Sequence, residues 1–299
     1  MIKASYLEKL EKCNLCPNNC SVNRFSSVGR CKIGANITVA KAYLHTWEEP
    51  VISGKNGSGT IFFSGCSLGC VFCQNYKISS DNFGKEITPS RLADIFKSLE
   101  EKGAENINLV TPTPHVYGII DALNIYRPNI PIVYNSSGYE SVETLKLLDG
   151  YVDVYLPDFK YYDNDLAYKF SNVRNYREIT VNAIDEMLRQ TGKPKIENGL
   201  IKKGVIIRHL VLPSHTSDSI KVMDEILARY SSNVLVSLMG QYTPVRHNDK
   251  YAELNRKVTP LEYKRVLRYM QNVGLTNGFC QELDSSATTY IPSFDLEGV

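Results

Sequence analysis

Residues 60–76, TIFFSGCSLGCVFCQNY, carry an apolar, strand-like run straight into a glycine-bearing loop with Cys66, Cys70 and Cys73 packed into eight positions. Three thiolates do not complete the four-ligand shell of a structural zinc or of an all-cysteine iron–sulfur cluster. On a loop leaving a strand, the spacing C-x3-C-x2-C lets three sulfurs converge on three irons of a [4Fe–4S] cube and leaves the fourth iron open to a chelating ligand. The alternative is that a distant cysteine, Cys31 or Cys280, closes the shell.

Downstream of this loop, short β-rich runs alternate with helix-like stretches. The strand candidates are TIFFSG, then NINLVT near 106–111, PIVYNS at 131–136, YVDVYLPD at 151–158, GVIIRHLVLP at 204–213 and NVLVSLMG at 233–240. Between them lie PSRLADIFKSLEEKG, VYGIIDALNIYR, SVETLKLLDG, YREITVNAIDEMLRQTG and SDSIKVMDEILARY, with apolar residues at helical spacing and mostly a capping start or a glycine stop. Six such units predict an α/β fold with right-handed crossovers and a parallel sheet, and they put working groups at the carboxyl ends of the strands.

Upstream, Cys13, Cys16, Cys20 and Cys31 form a second group, C-x2-C-x3-C-x10-C. Four thiolates saturate a metal. The set suits either a closed tetrahedral zinc that staples a segment too short for its own core, or an auxiliary [4Fe–4S] cluster that relays electrons. The cysteine-rich opening ends in the glycine-rich SGKNGSGT, which divides the chain into a metal-binding segment, 1–55, and a main domain, 56–299.

Of the eight cysteines, seven lie within residues 13–73, and in a reducing compartment such clustering reads as metal ligation or catalysis rather than disulfides. The charged opening lacks the apolar core of a secretion signal, and no apolar run is long enough to span a bilayer, so the chain reads as cytoplasmic. A formal net charge of +2 gives no electrostatic reason to expect nucleic acid or an anionic membrane as partner.

The cysteine loop resembles the signature of the radical S-adenosylmethionine (SAM) superfamily. Together with CNLCPNNCSVNR, GRCKIG, WEEPVISG, NINLVTPTPH, IPIVYNSSGYES, VDVYLPDFKY, IIRHLVLP and LMGQYTP, it is similar to the PflX-like branch, relatives of pyruvate formate-lyase activating enzyme. The resemblance implies a partial (β/α)6 barrel, open on one side, behind a small four-cysteine segment. It also implies a [4Fe–4S] cluster on Cys66, Cys70 and Cys73 whose open iron holds SAM, and reductive cleavage of SAM to a 5′-deoxyadenosyl radical that abstracts hydrogen. The family's activating members point to a glycyl radical enzyme as protein substrate and to flavodoxin or ferredoxin as electron donor. Radical modification of another peptide or of a small molecule is the alternative. A rival of another class is a non-catalytic iron–sulfur or zinc protein that senses redox state or carries electrons.

The same resemblance assigns residues. Phe72, inside the cysteine loop, stands at the adenine position. Many relatives carry a Gly-Gly-Glu turn for the SAM amino group after the second strand; here the chain has TPTPH, so Thr111, Thr113 and exposed carbonyls become the candidate acceptors, and His115 is either an acceptor or proton carrier or a histidine satisfied by a helix start. Asn135 stands where the activating enzymes have a carboxylate. Asp158 and Lys160 match their Asp-Val-Lys motif, in a region that meets the SAM carboxylate and a monovalent cation, and period-two geometry puts both on one side of the chain. In GVIIRHLVLP, Arg208 and His209 must face opposite ways; the resemblance turns Arg208 to the lumen and His209 beneath the helices. Gln241 and Tyr242 are candidate substrate-side groups or packing, and Cys280 reads as a small buried apolar group.

Overall fold

The computed structural model describes residues 4–281 and 292–299. Its strands are β1 (Ile37–His45), β2 (Ser58–Phe63), β3 (Lys85–Ile87), β4 (Ile107–Val110), β5 (Ile132–Ser136), β6 (Val154–Pro157), β7 (Lys195–Glu197), β8 (Leu200–Leu210), β9 (Leu235–Met239) and β10 (Gly278–Cys280). The helices are α1 (Ala4–Glu11), α2 (Pro50–Ser53), α3 (Tyr76–Ser79), α4 (Pro89–Glu101), α5 (Val116–Ile125), α6 (Val142–Lys146), α7 (Asn164–Ser171), α8 (Tyr176–Thr191), α9 (Thr216–Tyr230) and α10 (Pro260–Asn272).

The sheet runs β3-β1-β2-β4-β5-β6-β8-β9-β10, and its path does not return on itself among the described residues. From β2 to β10 every neighbouring pair is parallel. This is an α/β fold with a largely parallel sheet, consistent with a barrel left open on one side. All six expected strands are present, with the crossover helices between them.

Period two explains which residues meet where. On β5, β6 and β8, Ile132, Tyr134, Tyr155, Val205 and Ile207 join the large core beneath the helices. Their neighbours Val133, Val154, Leu156 and Ile206 join a smaller cluster closed off by Val51 and Ile52 of α2. The lumen is therefore plugged with apolar side chains at one end. At the other end, where the parallel strands finish, polar residues take their place.

Three differences from the sequence reading have physical causes. First, β1 lies within the 1–55 segment, yet it pairs antiparallel with β2 from Val39 to His45, so the cysteine-rich opening shares a sheet with the barrel. Lys41 interrupts the apolar pattern of β1 and hides the strand. Its ammonium, buried in the fold, is neutralised by Asp295 at 3.2 Å and Glu297 at 2.9 Å from the C-terminal segment. Second, Phe294 of that segment packs on Phe62, and Leu296 N–H donates to Ala40 O, so the segment is strapped along β1. Third, Cys280 is exposed rather than buried, because among the described residues the three-residue β10 ends the sheet with β9 as its one neighbour.

Candidate active site

The loop leaving β2 begins with a close approach. Gly65 has φ of +81°, and a Cβ there would sit 2.7 Å from Cys31 O and 2.2 Å from Ile33 Cγ1. Only glycine accommodates both the left-handed backbone and the contact. The following residues are tied down by their neighbours. Asn18 Nδ2 donates to Ser67 O at 2.7 Å, Arg30 donates to Leu68 O at 2.9 Å, and Val71 N–H donates to Phe170 O at 2.9 Å.

Each of the three thiols receives a hydrogen bond of its own. Leu68 N–H donates to Cys66 Sγ at 3.4 Å, Ser171 Oγ–H to Cys70 Sγ at 2.9 Å, and Ser79 Oγ–H to Cys73 Sγ at 3.2 Å. All three line one cavity of about 230 Å³ at the carboxyl ends of the parallel strands. Burial, reinforced by Cys70 and Cys73, pushes the Cys66 thiol up to about 12, and burial raises Cys73 too. Left bare, Cys66 and Cys73 would stay protonated at neutral pH. A cationic metal centre makes thiolates stable in such a place, and donors aimed at sulfur tune it. The donor set therefore fits an iron–sulfur group held through three ligands. Cys31 lies in the other cysteine group and Cys280 does not line the cavity, so neither closes this one.

Phe72, Thr111, Asn135, Asp158, Lys160 and Arg208 line the same cavity, as does Gln241. The ring of Phe72 meets Tyr161, Phe170 and Tyr242 edge-on at 6.1–6.4 Å. Tyr242 itself is packing: it is buried, with its hydroxyl donating to Leu254 O. Thr111 has φ of +59°, which is costly for a β-branched residue, and its N–H donates to Asn135 O at 2.9 Å.

That reversal at Thr111 carries the next residues away. Thr113, expected at the cofactor, is buried instead with its hydroxyl donating to Glu140 Oε1 at 2.7 Å, and it lines the pocket of the N-terminal cysteines. Nearby, His115 Nε2 meets Ser64 O at 2.8 Å and the ring stacks on Phe63; burial lowers it to about 3, so it is a neutral imidazole serving the fold.

Lys160 Nζ donates to Asp158 Oδ2 at 2.5 Å. Burial works against this ammonium, but Asp158 outweighs it and holds the lysine charged well above its ordinary range. A monovalent cation at Asp158 would have to share the carboxylate with that ammonium. Arg208 faces the lumen and His209 the helices, where His209 Nδ1 meets Phe159 O at 2.6 Å. Arg208 also has partners the sequence reading did not supply: Glu48 at 3.3 Å and Glu49 at 3.4 Å.

The reading missed His45, Trp47 and Glu48, which line the cavity from the β1–α2 connection. Glu48 accepts from Asn108 Nδ2 at 3.0 Å, and burial, opposed by Arg208, raises its carboxyl. His45 Nδ1 meets Tyr43 OH at 2.7 Å, and burial next to Arg208 lowers it to about 4. The signal was the acid pair of WEEP, two carboxylates in an otherwise acid-free stretch from residue 12 to residue 80.

The second cysteine group lines an enclosed pocket of only about 20 Å³, with Cys13, Cys16, Cys20 and Cys31 around it and Arg24, Gly29 and Thr113 completing the wall. A Cβ on Gly29 would approach Cys20 Sγ to 3.0 Å. Burial pushes Cys16 up to about 12 and raises Cys31. Among the described residues no three Cys, His, Asp or Glu side chains are gathered into a ready shell for a single metal ion.

The sequence pattern that defines the Radical SAM superfamily matches residues 60–227, more than half of the chain. The chain belongs to the radical SAM superfamily. It is 35% identical over 275 residues to the uncharacterized protein MJ0674 of Methanocaldococcus jannaschii, an alignment that covers 89% of this chain and 76% of that protein. Among solved structures it is similar to Streptococcus suis SuiB bound to the precursor peptide SuiA, with a TM-score of 0.50 and 14% identity over 73% of this chain and 46% of SuiB. SuiB bound to S-adenosylmethionine gives a TM-score of 0.50 and 13% identity over 73% of this chain and 48% of SuiB. The radical SAM chain thus spans about half the length of SuiB, and at this identity the likeness speaks for the fold.

Membership implies a [4Fe–4S] cluster and SAM as cofactors. When bound, they supply a one-electron cleavage of the sulfonium that yields an organic radical. The chain's own residues hold the three thiols in register, flank them with an apolar and aromatic wall at Phe72, and present fixed charges, Asp158–Lys160 and Glu48–Arg208, to the cavity.

Proposed function

We propose that the protein is a radical SAM enzyme that abstracts hydrogen from a glycine in a protein or peptide substrate, as a glycyl-radical activator does. The observation that carries this reading is the three-thiol wall of a cavity large enough for a guest, with no fourth cysteine on that wall. Cys66, Cys70 and Cys73 hold the cluster; Phe72 packs on the adenine; Thr111, Asn135, Asp158, Lys160 and Arg208 receive the polar groups of SAM. The neighbouring structure of SuiB binds a precursor peptide, which supports a peptide as substrate class. Cys13, Cys16, Cys20 and Cys31 hold a second metal centre, zinc or an auxiliary cluster, and flavodoxin or ferredoxin supplies the electron.

The test is anaerobic reconstitution followed by incubation with SAM, dithionite and a synthetic peptide spanning the glycine loop of a glycyl radical enzyme, with the glycine dideuterated. The expected result is 5′-deoxyadenosine that carries deuterium. Unlabelled 5′-deoxyadenosine would move the substrate elsewhere within the class. An intact cluster that yields none would leave the non-catalytic redox reading standing.

A further inference from the structure

The three sulfurs of the cysteine loop each accept one hydrogen bond, but the bonds differ in what stands behind them. The one from Ser171 Oγ to Cys70 Sγ is the shortest, at 2.9 Å. Among the described residues Ser171 is also the one donor of the three with a second hydroxyl at its back, that of Tyr161 at 2.7 Å. The fold builds this pair from two directions. Asp158 and Lys160 turn to the cavity, so Phe159 and Tyr161 turn the other way, and both are fully buried in the core. Ser171 is the last residue of α7, which stops there because Asn172 takes the left-handed conformation, φ +51° and ψ +42°. Two bonds pin this helix end to the loop and the knuckle: Val71 N–H donates to Phe170 O at 2.9 Å, and Arg30 donates to Ser171 O at 2.6 Å. Ser171 is 1% exposed and Tyr161 0%, so water competes for neither hydroxyl.

Counting protons fixes the direction of the chain. A cysteine sulfur bound to metal as thiolate carries no proton and can only accept. Ser171 has one hydroxyl proton, and it goes to Cys70 Sγ; the contact between the two hydroxyls is then closed by the proton of Tyr161, donated to Ser171 Oγ. Donors in series polarise one another, and a buried, low-dielectric setting strengthens each of them. Hydrogen bonds to ligand sulfur are one of the protein's levers on an iron–sulfur potential. Reduction adds negative charge that spreads onto the thiolates, and a donor aimed at sulfur stabilises it.

We propose that Tyr161 and Ser171 are positioning residues that raise the reduction potential of the iron–sulfur centre on the loop, by donating in series to Cys70 Sγ. This rests on the radical SAM reading of the cavity and adds what sets the ease of the reduction. One electron enters the centre; both hydroxyl protons stay on their oxygens, and no atom is transferred. Neither residue lines the cavity, so both act through Cys70 and not on a guest. The ring of Tyr161 meets Phe72 edge-on at 6.4 Å and Tyr176 at 5.2 Å, so its place in the core is held by packing as well as by its hydroxyl.

The test is a redox titration of the anaerobically reconstituted full chain without SAM, followed by electron paramagnetic resonance on the signal that Cys70→Ala abolishes. At a fixed poise the ratio of reduced to oxidised centre should fall by a factor of about three to ten in Ser171→Ala, the order of one charge-assisted hydrogen bond. In Tyr161→Phe, which keeps the ring and removes only the hydroxyl behind the serine, it should fall by about twofold. Ser171→Thr keeps a hydroxyl and should titrate close to wild type. A purely structural role would instead lower iron content or thermal stability and leave the midpoint of the remaining centre where it was. Ser171→Ala and Tyr161→Phe proteins that titrate with wild type, a ratio that rises, or a Ser171→Thr shift equal to that of Ser171→Ala would each overturn the proposal. Should Ser171→Ala fail to hold iron, Tyr161→Phe decides: a midpoint moved to more negative potential upholds the proposal, and an unmoved one overturns it. Failure of the radical SAM reading looks different: wild type itself would give no iron–sulfur signal that depends on Cys70.

Discussion

The two cysteine groups are built from the same side chain, are both at least half-buried, and touch across Gly65, yet they are opposite kinds of site. One has three thiols on the wall of a cavity of about 230 Å³ lined with charges of both signs; the other has four thiols around about 20 Å³ of enclosed space. What differs is ligand count and room, not ligand chemistry. Four thiols around a closed pocket leave no room for a guest, whereas three thiols on the wall of a cavity leave a ligand position and the room beside it. Enclosure also explains why the open group is the one on a β-strand's carboxyl end: the parallel strands stop there, and the lumen's apolar plug lies at the far end.

The largest effect should come from exchanging the roles of the two groups in mutation. Cys70→Ala should reduce 5′-deoxyadenosine formation to background, a loss on the order of a thousandfold or more, as removal of one member of a catalytic unit does. Its iron content should fall, while metal at the N-terminal group stays. Cys16→Ala should do the reverse, releasing the second metal and lowering thermal stability while leaving iron at the loop. Metal analysis of both proteins decides it. If Cys16→Ala removes the loop's iron and Cys70→Ala empties the knuckle, the two groups are one assembly and the contrast between them fails.

A smaller effect tests their shared wall. Gly65→Ala places a Cβ at φ of +81° within 2.7 Å of Cys31 O, so it forces the knuckle off the loop. Left-handed strain and overpacking together should cost roughly 2–5 kcal/mol in urea unfolding. Because the clash falls on Cys31 on one side and one residue from Cys66 on the other, both metals should be lost together. Loss of one alone would show that the groups tolerate separation.

The features that were legible in the sequence are those whose cause is local. The thiols could be found because ligand spacing along a loop is itself the chemistry, and the six parallel strands because each buries a contiguous apolar run between helices. Arg208 and His209 sorted correctly to opposite faces since period two leaves no other choice. What was not legible depends on contacts distant in sequence. Glu48 and His45 enter the cavity only because β1 folds back antiparallel on β2, and β1 was disguised by Lys41, whose two carboxylate partners lie some 250 residues away. Thr113 left the cavity because Thr111 reverses the chain at a positive φ that a β-branched residue does not advertise. Cys280 was read from the average behaviour of lone cysteines, which the end position of β10 overrides.

The contrast between open and closed recurs at the scale of one residue pair, and there it sets a pH dependence. Arg208 faces the open lumen and keeps its charge among Glu48, Glu49 and Asp158; His209, next along β8, is sealed under the helices with its pKa lowered to about 4, first by burial. Between pH 6.5 and 4 the unfolded chain takes up a proton at this histidine and the folded chain does not, so unfolding binds protons and stability falls as the solution is acidified. At pH 5 this one group should remove about 2 kcal/mol relative to pH 7.5. His115, held down to about 3 by burial, acts in the same direction. Urea unfolding of His209→Gln at the two pH values should show a dependence smaller than wild type's by about that 2 kcal/mol, with carboxylate titrations common to both proteins cancelling in the difference. An unchanged pH dependence would mean that His209 reaches water and protonates in the folded state, and that the helix side of β8 is as open as the lumen.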